Sequence, residues 1–221
     1  MTVNNIYFNI HSHNSDLENK WTIINVHEHF LTASSCKYLS MGLHPWHLKP
    51  ETAEAEFRDL QQASVHENVW AIGECGLDKA IVTDIKFQEK IFVQQLLWAN
   101  EINKPLIIHC VRAYDEILLL LKKHQNKVPV IFHGFNKKMD TAQRIIQAGH
   151  WLSFGSALQH FRTREVFEQL PLNHIFLETD DGNLDIRSVY QLAASIRNIT
   201  EEQLSLQLHQ NVKTVFNTEI K

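Results

Sequence analysis

Apolar residues in this chain gather in short runs, and the stretches between the runs follow a different period. Runs rich in Ile, Val, Leu and Phe fall at residues 6–10, 22–26, 38–42, 69–73, 106–109, 130–133, 151–154 and 175–178. Their length and β-branched content are those of buried strands. Between them, apolar positions three and four apart predict amphipathic helices over 51–66, 86–103, 113–125, 139–148 and 162–169, with two more over 186–197 and 201–216. Local punctuation agrees: Pro50 precedes the first helix, Gly149 closes the fourth, and Thr200 with Gln203 has the spacing of a capping box. Strands that alternate with helices form parallel sheets, and eight such strands predict an α/β protein of the (β/α)8 TIM-barrel type, one domain over residues 1–221. The first two gaps hold only about a dozen residues each, too few for full crossover helices, so reduced N-terminal crossovers are expected.

Composition narrows the setting. With 221 residues and 44% hydrophobic content the chain can bury a large core. Cys36, Cys75 and Cys110 lie far apart and leave an odd thiol under any pairing, which points to a reducing compartment. No apolar run approaches the ~20 residues of a membrane span, and the N-terminus lacks the layout of a secretory signal. A cytoplasmic monomer with no membrane and no obligate protein partner is the expectation. The formal net charge of −4 argues against a broad basic face that grips nucleic acid, yet leaves room for a nuclease whose bound cation supplies local positive charge.

Candidate chemistry appears once the strand ends are marked. In a (β/α)8 barrel functional residues collect at the C-terminal ends of strands. His11 and His13 end the first strand, Glu74 the fourth, His109 the fifth and His133 the sixth, while Asp180 follows the eighth. Alternation along a strand aims His11 and His13 to one side, and imidazoles with carboxylates are the donor set that Zn, Mn or Fe selects. Four histidines and two carboxylates exceed what one ion needs, so a two-metal centre bridged by Glu74 is expected, with Asp180 binding one metal and orienting or deprotonating the attacking water. A rival pair, His27 and His29, has no separate set of partners and reads as a surface loop.

The ordered runs Asn9-Ile-His11-Ser-His13, Gly42-Leu-His44-Pro45, Gly73-Glu74-Cys-Gly76-Leu77-Asp78, Pro105-Leu-Ile-Ile-His109, Phe132-His133-Gly-Phe135 and Glu178-Thr179-Asp180 resemble the motifs of the TatD family of metal-dependent hydrolases. The resemblance implies a TIM barrel of the amidohydrolase superfamily, one or two divalent ions (Zn, Mg or Mn) held by His11, His13, Glu74, His109, His133 and Asp180, and metal-assisted phosphodiester hydrolysis on DNA. Glu74 and Asp180 are then the catalytic carboxylates. Asn9 and Asn14 stand where that family usually carries an Asp and an apolar residue, and the run from Asp181 to Asp185 replaces a longer basic loop.

Further contacts to substrate fall to His44, by resemblance either a phosphate contact or a support behind the ligands, and to Arg112, three residues after His109 where the family usually places Arg two after. Lys137, with Lys138, either meets phosphates at the barrel mouth or marks a solvated helix start. Trp46 and His47 either stack a base or pack a loop, and Asp78 is expected to orient the Glu74 segment. The expected reaction is hydrolysis of DNA, as a DNase or 3′ exonuclease. The alternatives are hydrolysis of a small amide, lactone or phosphate ester, and a metal-bearing barrel without catalysis.

Overall fold

The computed structural model describes residues 6–14, 21–32, 37–182 and 184–218. Cys36 and Asn183 lie outside the described residues. Eight strands form one sheet in chain order: β1 (Asn9–Ser12), β2 (Thr22–Val26), β3 (Leu39–Met41), β4 (Val69–Asp78), β5 (Leu106–Val111), β6 (Val130–Phe132), β7 (Trp151–Phe154) and β8 (Ile175–Leu177). Helices α1 (Ala53–Ser64), α2 (Ile85–Ile102), α3 (Tyr114–Lys123), α4 (Met139–Gln147) and α5 (Phe161–Gln169) each follow one strand from β3 onward, and α6 (Ile186–Arg197) and α7 (Glu201–Phe216) both follow β8. This is the (β/α)8 arrangement. As the short gaps predicted, no α-helix lies among the described residues between β1 and β2 or between β2 and β3, where a single 3-10 turn at Phe30–Thr32 stands instead.

Helix ends match their chemistry. The Asp84 carboxylate accepts the Phe87 amide at the start of α2, and Asp185 does the same for Ser188 at the start of α6. Thr200 and Gln203 close the predicted capping box on α7. Asn103, Asn198 and Asn217 end α2, α6 and α7 in the left-handed conformation that Asn tolerates.

Contacts divide the chain into two compact units, one of Met1–Ile23 with His133–Lys221 and one of Ile24–Phe132. In the first, β7 pairs in parallel with β8, and β8 returns to β1, where the amides of Thr179 and Asp180 both donate to the His11 carbonyl, at 3.3 and 3.0 Å. The strand expected over 6–10 begins later, at Asn9, and runs on to Ser12. Side chains explain the shift. The Tyr190 hydroxyl bonds both the amide and the carbonyl of Phe8, and Ser205 and His209 donate to the Ile6 carbonyl. Backbone groups before Asn9 are thereby satisfied by α6 and α7 rather than by a ladder.

In the second unit β2 to β6 pair in parallel in sequence order. The strand expected over 69–73 continues to Asp78, so Glu74 lies within β4 and not at its end. Glycine does not terminate this strand; it lets a neighbour approach. A Cβ on Gly76, whose φ is +145°, would sit 2.0 Å from the His109 carbonyl oxygen, and the register against β5 shifts between Ile72 and Cys75. β5 likewise runs two residues past His109, to Val111.

Two outcomes follow for stability. Gly76→Ala must push β4 and β5 apart as well as occupy a strained φ, and is expected to cost on the order of 3 kcal/mol or more in chemical denaturation. Burial, with His174 as a lesser cause, pushes the His150 imidazole down to about 4. The unfolded chain binds that proton from roughly pH 6.5 downward, so the group's contribution is complete above about 6.5 and is lost as pH falls through about 4. Urea unfolding across that interval should show a fall in stability that His150→Asn reduces by up to about 3 kcal/mol.

Candidate metal centre

Two groups of metal-ligating side chains occur at strand ends or bulges, and each is built within one unit. In the first unit, β1 carries His11, fully buried, and His13 follows one residue beyond the strand. The two rings meet edge to face at 5.0 Å. Their Nε2 atoms lie 3.6 and 3.5 Å from one oxygen, Oδ1 of Asp180. Asp180 adopts a left-handed φ of 51°, which Asp accepts more readily than most residues, and its amide bond to His11 together with a turn from Gly182 to the Thr179 carbonyl holds it there. Asn9 adds a two-way latch: its Nδ2 donates to the Thr179 hydroxyl at 2.8 Å, and its Oδ1 accepts the Thr179 amide at 3.1 Å.

His133, one residue past β6, packs its ring 4.4 Å from that of His11. Its Nδ1 lies 3.7 Å from Glu178 Oε1. Glu178 is itself buried and fixed, because it accepts the Gly134 amide at 2.7 Å and the Ser153 hydroxyl.

In the second unit the donor atoms are closer. Glu74 Oε1 lies 3.1 Å from His44 Nε2 and 2.7 Å from His109 Nδ1, and its amide donates to Asn25 Oδ1. His44 Nδ1 accepts the Trp46 amide, so its proton resides on Nε2 and is given to Glu74. His109 Nε2 lies 3.1 Å from Asp78 Oδ2. Burial works against a charge on Asp78, but bonds from the Trp46 indole and the Ala80 amide, together with His109, outweigh it and hold the carboxyl below its usual range.

A family model described as TatD related DNase matches residues 10–217. The chain belongs to the TatD family. The uncharacterized metal-dependent hydrolase YjjV of Escherichia coli K12 is 28% identical over 200 residues, covering 81% of this chain and 76% of that protein. The 3'-5' ssDNA/RNA exonuclease TatD of Musicola paradisiaca is 32% identical over 165 residues, 71% of this chain and 61% of its own length. The crystal structure of YjjV superposes with a TM-score of 0.79 at 26% identity, covering 89% of this chain and 86% of the other. The chain is therefore a TatD-family metal-dependent hydrolase.

Spacing separates the two groups chemically. Bonds of about 2.1 Å at a tetrahedral angle place neighbouring ligand atoms roughly 3.4 Å apart. The 3.5 and 3.6 Å separations at Asp180 match that edge and are too long for hydrogen bonds, so His11, His13 and Asp180 fit a shared divalent ion. Separations of 2.7 to 3.1 Å around Glu74 are hydrogen bonds, so His44 and His109 there hold a carboxylate in place.

For the remaining candidates, the structure places Arg112 just beyond β5, exposed and with φ of 56°. Lys137 is exposed and lines a groove of about 780 Å³ with Lys138 and Arg162. His44 is buried behind Glu74, and His29 is solvent-facing while His27 stacks on His47. Asn25 and Ser153 were not singled out from the sequence, and Glu178 entered only as part of the Glu178-Thr179-Asp180 run, without a role of its own. The available signal was a polar residue inside an apolar strand run, which is unfavourable unless it has a partner.

Metal titration of the demetallated TatD-family protein checks the assignment. Glu178→Gln, which alters the carboxylate beside His133, should weaken binding by about 10- to 100-fold. His13→Ala should weaken it more than that, and His27→Ala should leave it unchanged.

Proposed function

We propose that this TatD-family hydrolase cleaves phosphodiester bonds in single-stranded DNA, removing nucleotides from the 3′ end. The observation that carries the reading is the convergence of His11 and His13 Nε2 on Asp180 Oδ1 at metal-sharing distance. The relative from Musicola paradisiaca, named a 3'-5' ssDNA/RNA exonuclease, supports the substrate class. The reading assigns His11, His13, His133 and Asp180 as cation ligands in one unit, and in the other Glu74 as a catalytic carboxylate held in place by His44 and His109. A divalent ion (Zn, Mg or Mn) supplies a water acidic enough to act as hydroxide near neutral pH and offsets charge on the phosphoryl oxygens.

The chain's own residues do the rest. Asp180, whose side chain is 40% exposed, reaches solvent and can take the proton of the attacking water. Glu178, itself fixed by its bonds to Gly134 and Ser153, sets a carboxylate 3.7 Å from His133 Nδ1. Glu74 is held by two imidazoles and by Asn25, which leaves it little freedom to rotate away. Lys137, Lys138 and Arg162 line one groove, where their charge favours the phosphates of a strand despite the net charge of −4. Water adds across a P–O ester bond, its oxygen joins phosphorus, and the departing alkoxide takes up a proton.

Cys75 and Cys110 are buried and not in disulfides, which suits a reducing compartment such as the cytoplasm, and no described helix is long and apolar enough to cross a membrane. Release of label from 3′-labelled single-stranded DNA, with Mg, Mn or Zn added, tests the reading. Wild type should degrade the strand, and Asp180→Asn and Glu74→Ala should each slow it by at least about 100-fold. A strand left intact with every metal, or cut equally fast by both variants, would sink the proposal.

A further inference from the structure

Trp46 is an unusually exposed aromatic. It stands in a 3-10 turn, Pro45–His47, and is 60% exposed, although an indole of that size is normally packed away. Its position is nevertheless fixed. Nε1 donates to Asp78 Oδ2 at 2.6 Å, its amide is capped by His44, and the ring meets His44 and His109 edge to face at 5.1 and 5.7 Å. The polar edge of the indole is therefore spent on Asp78, and what faces solvent is apolar π surface. Trp46 lies in direct contact with two residues that hold Glu74.

Beside it lies a cavity of about 470 Å³ lined by Trp46, His47, His27 and Leu31. His27 stacks on His47 with ring centres 4.7 Å apart and planes 19° from parallel, so this wall is a second flat aromatic surface, and Leu31 is 54% exposed. Glu28, Glu56 and Asp59 also line the cavity, against one cation, Lys49. Carboxylates there repel phosphate, so the occupant that fits is a flat, largely uncharged ring rather than the backbone of a strand.

We propose that Trp46, with the stacked His27–His47 pair, is a nucleobase platform that makes the enzyme prefer strand ends that carry bases. This rests on the phosphodiesterase reading above and adds what the enzyme recognises besides phosphate. Stacking is tolerant of base identity because every base presents a π face, so the platform selects single-stranded, base-bearing ends without reading sequence. Trp46 is a binding residue in this scheme, and Asp78 positions it.

The test compares the metal-loaded enzyme on an oligothymidylate with the same strand carrying abasic tetrahydrofuran residues at its last three positions. Wild type should favour the base-bearing strand in kcat/KM by roughly tenfold or more, mostly through KM. Trp46→Ala should bring that ratio near one, and Trp46→Phe should keep most of it. His27→Ala should lower the ratio in part, and it serves if Trp46→Ala alters metal content. Independently, oligothymidylate should quench indole fluorescence in wild type, and Trp46→Phe should abolish the quenching while the other four of the five tryptophans remain. A ratio equal in wild type and in the Trp46 and His27 variants, or quenching that survives Trp46→Phe, overturns the platform. If wild type cuts neither strand, the phosphodiesterase reading fails, and the fluorescence titration decides the platform alone: quenching lost in Trp46→Phe upholds it, and no quenching in wild type overturns it.

Discussion

The carbonyl of His11 accepts the amides of both Thr179 and Asp180, and the convergence of His11, His13 and Asp180 depends on that shared acceptor. It ties the last strand to the first. Because side chains alternate along β1, fixing the backbone at His11 also fixes His11 and His13 on one side, and the left-handed turn at Asp180 swings its carboxylate to meet them. Asn9 strengthens the tie by exchanging two hydrogen bonds with Thr179. An amide side chain supplies both the donor and the acceptor in that exchange, which accounts for an Asn where the family usually carries Asp.

In the other unit the corresponding constraint is close backbone approach. Gly73 and Gly76 bring β4 against the carbonyls of Ile107 and His109, closer than any side chain would allow. That approach, with the Asn25 bond to the Glu74 amide, delivers the Glu74 carboxylate to His44 and His109. Burial and the adjacent carboxylate push the Cys75 thiol far above its usual range, so the cysteine beside Glu74 serves as a small buried side chain and not as a nucleophile.

The two groups are built on different spacings. Donors separated by 3.5 to 3.6 Å invite a cation, whereas a carboxylate clasped by imidazoles at 2.7 to 3.1 Å is already satisfied and rigid. Asp78 links the clasp to the surface, since the carboxylate that meets His109 also anchors Trp46.

Periodicity alone determined the strand count, the helix spans α6 and α7 and the reduced N-terminal crossovers among the described residues, because these depend on local spacing of apolar residues and on caps within a few positions of one another. Residue type and order likewise determined His11, His13, Glu74, His109, His133 and Asp180 as candidates. The start of β1 was decided by Tyr190, Ser205 and His209, far along the chain, and the continuation of β4 by the neighbouring β5 backbone. Only the tertiary structure decided which donors stand a metal's width apart and which are joined by hydrogen bonds, and only it revealed Glu178, Ser153 and Asn25 as supports. A difference of less than 1 Å between groups remote in sequence leaves no trace in spacing or composition, because it is set by packing against partners the local pattern does not contain.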